Sequence, residues 1–112
     1  GRQPQAKLHL WRYYYLKIEN RTLKDFRIKL KHKFYSTEVR DWVLSPEISI
    51  YIEAGGDFIL MDRDNNRIPI TFFKYTITNT GNWLMDLEEH HIWLDCYPYQ
   101  ATHCKTYVHT LK

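Results

Sequence analysis

Four cationic residues recur at every second position of one segment: Arg27, Lys29, Lys31 and Lys33. In an extended chain alternate side chains share a face, so this spacing puts all four on one face of one strand. Like charges that close repel unless acids or a partner answer them. Two uses follow. One is a solvated outer face, or a Lys-protected edge that blocks aggregation. The other is an anion-binding face for phospholipid headgroups, sulfated glycans or nucleic acid. Aromatic rings lie nearby in sequence. In the run Trp11-Arg12-Tyr13-Tyr14-Tyr15, the alternate members Trp11, Tyr13 and Tyr15 share a parity with Lys7, His9 and Lys17. Such rings suit lipid interfaces, bases and sugar faces, or they fill the second face of a covered sheet. Tyr97 and Tyr99 flank Pro98 between Cys96 and Cys104, where a loop gives rings less reason to be core.

Other chemistries are weaker on spacing. Asp62-Arg63-Asp64-Asn65-Asn66 imitates the start of a calcium loop, but Arg67 stands where glycine is required and Phe73 where the closing acid belongs. A hairpin turn explains it better. Glu88-Glu89-His90-His91 with Asp95 imitates a metal or acid–base cluster, yet neighbouring histidines on a strand face opposite ways. An RNase-like site needs a base, an acid and a phosphate clamp. His91, Glu89 and Arg40 are of those types, but nothing in their spacing selects them. No Gly-rich phosphate loop or nucleophile elbow is present. The expected protein is therefore not an enzyme and needs no cofactor or metal.

The elements that must carry these residues follow from composition and periodicity. The 112 residues hold nine Tyr, five Phe and four Trp. With ten Ile, three Val and nine Thr, 40 of the 112 residues prefer strands, against three Ala. That excludes a helical bundle and, with so many core formers, a disordered chain. No apolar run is long enough for a membrane span. Alternating segments fall at 7–18, 25–35, 37–44, 48–53, 58–61, 68–78, 83–87, 91–97 and 104–111. In the second, Phe26, Ile28, Leu30 and Phe34 oppose the four cations. Pro69 places the start of the 68–78 strand at an edge or bulge. The pattern predicts an all-β, single-domain antiparallel β-sandwich of eight or nine short strands over residues 7–112, after a disordered lead-in at 1–6; a small β-barrel is the alternative.

The net charge of +3 hides an uneven distribution. Residues 1–35 hold ten Lys/Arg against Glu19 and Asp25, whereas 36–62 hold Arg40 against six acids. This asymmetry suits either an anionic partner or pairing between the two regions. The six His would add positive charge below about pH 6.5. Cys96 and Cys104 can be bridged across a hairpin, and their spacing is not a zinc spacing. Asn20-Arg21-Thr22 is a glycosylation sequon at an expected surface turn. Bridge and sequon together point to a secreted glycoprotein. The opening Gly1-Arg2-Gln3-Pro4 carries no signal peptide, as in a mature fragment.

The order of segments resembles the aegerolysins, small secreted β-sandwich proteins that recognise membrane lipids. Tyr15-Leu16-Lys17-Ile18-Glu19-Asn20-Arg21-Thr22 followed by Phe26-Arg27-Ile28-Lys29-Leu30 is similar to their I-x-N-x-T…I-x-I-K opening. Ser45-Pro46-Glu47-Ile48 to Ala54-Gly55-Gly56, Asp57 to Asp62, and Lys74-Tyr75-Thr76-Ile77 to Asn82-Trp83-Leu84-Met85 resemble their later segments. Their W-D-C-P-W-G-S motif has no counterpart after Phe72-Phe73, and Trp93-Leu94-Asp95-Cys96-Tyr97-Pro98 echoes it only later. The resemblance implies lipid-specific binding, with or without a larger pore-forming partner. The residues alone leave three readings open. The first is a secreted module that binds an anionic lipid or glycan through the cationic strand and Trp/Tyr side chains. The second is an effector or toxin-like domain docking an acidic partner protein. The third is an RNase-like fold binding RNA. The oligomeric state is left open.

Overall fold

In the computed structural model of the chain, the described residues are 14–78, 84–86 and 105–112. They form eight strands and no helix: β1 (Tyr14–Asn20), β2 (Phe26–Ser36), β3 (Asp41–Leu44), β4 (Ile48–Ile52), β5 (Asp57–Ile59), β6 (Ile70–Ile77), β7 (Leu84–Asp86) and β8 (Lys105–Leu111). The all-β expectation holds, and the sheet does not close into a barrel. The lead-in 1–6 and the strand expected at 91–97 lie outside the described residues.

The eleven-residue β2 is the spine. One of its edges carries β4 beside Phe26–Leu30 and β3 beside Lys33–Ser36; the other carries β6. Ser45 closes the gap between β3 and β4. Its N–H donates to the His32 carbonyl at 2.6 Å, and its Oγ accepts from the His32 N–H at 2.9 Å. Pro46 follows and has no N–H to offer, so the hydroxyl serves where a backbone ladder cannot. The β2–β6 register slips between Lys33, opposite Phe72, and Phe34, opposite Ile70. Thr71 is thus an extra residue, a bulge two positions after Pro69. It lets Ile70 and Phe73, three residues apart, both turn to the core.

At Tyr14, opposite Ile70, β6 hands over to β1. One edge of β1 pairs with β5 and the other with β8 along all seven residues. The β1–β8 pair runs parallel; every other pairing among the described residues is antiparallel. The sheet folds back across this handover, and side chains of β6 meet those of β8. Phe73 lies 6.1 Å from the Tyr107 ring and 5.7 Å from His109. The Tyr75 hydroxyl is 2.8 Å from His109 Nε2. Leu16, Ile18, Ile28, Leu30, Ile52 and Leu111 complete the core between the layers. Each such side chain stabilises the fold by about 1.5–3 kcal/mol.

Asn20 overturns one expectation. It is 0% exposed, not at the surface. Its Nδ2 donates to the carbonyls of Lys24 (2.6 Å), Ile52 (3.2 Å) and Glu53 (3.0 Å), while Oδ1 accepts from the N–H and hydroxyl of Thr22. Its backbone pairs with Gly55 and Gly56, and Gly55 supplies the positive φ of 77° that this turn needs. A glycan on Nδ2 has no room in this fold. The sequon is instead a lock between the β1–β2 and β4–β5 turns.

Candidate anion-binding face

The odd-numbered residues of β2 all look away from the core. Arg27 and Lys29 are exposed, Lys31 and Lys33 half-buried. Cross-strand neighbours decide the surroundings of each. Arg27 lies opposite Tyr51, with its guanidinium 5.0 Å from the ring centroid. The Tyr51 hydroxyl donates to Asp25 Oδ2 at 2.7 Å, and the Ala54 N–H donates to Oδ1 at 2.9 Å. These bonds hold the Asp25 carboxyl below its ordinary range, the tyrosine bond more than the backbone one, and the same bond pushes the Tyr51 phenol up.

Lys29 lies opposite Ser49 on one side and Thr76 on the other. Its Nζ is 3.9 Å from Glu47 Oε2, and both side chains are well exposed. A pair so long and so wet is worth under about 1 kcal/mol. Lys31 lies directly opposite Lys74 of β6. Lys33 lies opposite Leu44 and Phe72, its Nζ 5.2 Å over the Phe72 ring. Five cationic side chains therefore share one face, and Lys74 is the member that the sequence pattern alone did not supply. Its outward parity between Phe73 and Tyr75 was readable, but its place beside Lys31 needs the register. Exposed apolar surface borders the stripe at Leu44 (45% exposed) and Tyr51 (50%). Beyond Lys33 the rings of Tyr35 and Trp42 meet edge to face at 5.7 Å.

Pairing between the basic and acidic thirds also occurs. Asp57 reaches Lys17 at 3.6 Å, and Glu47 reaches Lys29. Glu19 holds Lys17 at 3.4 Å and Arg21 at 2.8 Å within the basic third itself. The charge on β1 is thus answered on its own outer face.

Tyr15 does not join the candidate face. It is 3% exposed, and the Arg67 guanidinium lies 3.9 Å from its ring centroid. It is a covered ring on the second layer, because Arg67 returns across it after the turn at 62–66. Trp11, Tyr13, Tyr97, Tyr99, Cys96 and Cys104 lie outside the described residues, as do Glu88, Glu89, His90, His91 and Asp95.

The calcium-like segment is the hairpin turn that its Asp and Asn content favours. Asp62 Oδ1 accepts from the N–H groups of Asp64 (2.8 Å) and Asn66 (2.9 Å), and Asn65 takes a positive φ of 63°. No cluster of metal-ligating side chains occurs among the described residues. No protein-family model, characterised protein or solved structure matches the chain.

Proposed function

We propose that the protein is a non-catalytic module that binds anionic membrane surfaces through the outer face of β2. The observation that carries this reading is the gathering of Arg27, Lys29, Lys31, Lys33 and Lys74 on one sheet face. Successive cations on a strand stand about 7 Å apart, so the stripe meets an array of charges rather than one anion. Each basic residue near an anionic bilayer contributes about 1 kcal/mol, so five act together where one would not hold. Leu44 and Tyr51 border the stripe and supply apolar contact at headgroup depth. The order of segments that resembles the aegerolysins implies the same class of target.

Co-sedimentation with vesicles tests the reading. The protein is expected to pellet with phosphatidylcholine vesicles containing phosphatidylserine, to be released as salt rises, and to stay in solution with phosphatidylcholine alone. Pelleting is expected to persist against competing RNA. Loss of pelleting to RNA would reassign the face to nucleic acid. Failure to pellet with anionic vesicles at low salt would end the membrane reading and leave an acidic partner protein.

A further inference from the structure

The opposite side of β2 carries a different kind of site. A cavity of about 390 Å³ opens between the inward-facing end of β2 and the segment entering β6, lined by His32, Phe34, Asp62, Arg67, Ile68 and Pro69. That volume lies within the range of small-molecule pockets. The Thr71 bulge sits beside it, where the β2–β6 ladder slips.

Of the polar groups in its wall, one is sealed off and another brings a positive charge to the cavity. His32 is 6% exposed, and its Nδ1 is buried with no hydrogen-bond partner. Among the described residues no other buried side-chain nitrogen or oxygen is left so. Such a group costs free energy, and its full enclosure keeps it out of reach of anything in the cavity as the ring now stands. Among the described residues, Arg67 is the only cationic side chain in the lining and makes no ion pair. Stacking on Tyr15 fixes one face of its guanidinium and leaves the edge, with its N–H fork, to meet a carboxylate. A second cavity of about 370 Å³ lies against Arg67, lined also by Tyr15, Ile59 and Val108. Phe34, Ile68 and Pro69 make the first cavity mostly apolar. Asp62 is the opposing charge, and its Oδ1 already accepts two backbone N–H bonds.

We propose that this cavity binds a small aromatic monocarboxylate, with the carboxylate on Arg67 and the ring against Phe34, Ile68 and Pro69. The site is on the core side of β2 and is independent of the cationic face.

The test uses 2-naphthoate as probe, followed through backbone amide shifts, with 2-naphthalenemethanol as the neutral analogue. The expected result is saturable shifts at Phe34, Ile68 and Arg67. Affinity should fall at least tenfold for the alcohol and for Arg67→Gln. Asp62→Asn, which keeps the turn-capping oxygen, should tighten binding, and Lys29→Glu/Lys31→Glu should leave it unchanged. Absence of saturable shifts at these amides, or shifts confined to the β2 outer face, would overturn the proposal. Equal binding of acid and alcohol by the unaltered protein would also overturn it, and that comparison decides the matter even where Arg67→Gln fails to fold.

Discussion

Strand β2 presents two faces built from the same eleven residues, and they are held in opposite ways. On the inner face Ile28 and Leu30 are almost fully buried, and His32 is enclosed at the end of the row. On the outer face the contacts of three of the cations are long or lateral: a 3.9 Å ion pair at Lys29 and cation–ring contacts at Arg27 and Lys33. Burial of apolar area is worth kilocalories per residue, whereas exposed ion pairs are worth tenths. Stability should therefore belong to the inner side and to the turns that fix it. The outer side should be free to be chosen for what it binds.

The inner framework can be damaged without touching an apolar side chain. Asn20→Ala removes five side-chain hydrogen bonds at a fully buried position. The expected loss is about 3 kcal/mol, read as a lower urea midpoint, because several carbonyls are stranded at once. A loss below about 0.5 kcal/mol, the range of ordinary surface changes, would mean that the two turns are not locked through Asn20.

The inner face also responds to pH, by a smaller amount. Burial lowers the His32 imidazole from 6.5 to about 4. Below 6.5 the unfolded chain takes up a proton at this residue that the folded chain refuses until about 4. Stability is therefore full above that window and falls as pH drops through it. Between pH 7 and pH 5 the fall should be about 2 kcal/mol, and His32→Phe should remove it. Equal pH slopes for the two proteins in denaturant titrations would place the loss elsewhere.

Much of this was legible in the sequence, for a physical reason. Period-two alternation specifies strands strongly when one face is buried, and 25–35 displayed it over its whole length. The outward direction of Arg27, Lys29, Lys31 and Lys33 came from that alternation, and the irregular start of β6 from Pro69. Three things were hidden. The parallel β1–β8 pair joins the first and last described strands, and no local signal fixes partners so distant. Asn20 looked like a surface sequon because a polar residue in a turn ordinarily faces water; its burial follows from the β4–β5 turn closing over it. His32 sits between Lys31 and Lys33 and reads as part of the basic run, yet its parity is that of Leu30 and Phe34. A polar residue at an inward position was the available signal for the cavity. Arg67, which in sequence only spoils a calcium loop, is the cation laid over Tyr15.

If the outer face of β2 binds anionic membrane while contributing little to the fold, binding and stability must separate on mutation. The double variant Lys29→Glu/Lys31→Glu tests this, with vesicle affinity and unfolding free energy measured on the same preparation. At position 31 the new carboxylate would face Lys74 across the register, on the side away from the core. The account predicts unfolding within about 0.5 kcal/mol of the parent. It also predicts at least a tenfold loss of affinity for phosphatidylserine vesicles, since two favourable charges become unfavourable. Unchanged affinity with an unchanged salt dependence would contradict it.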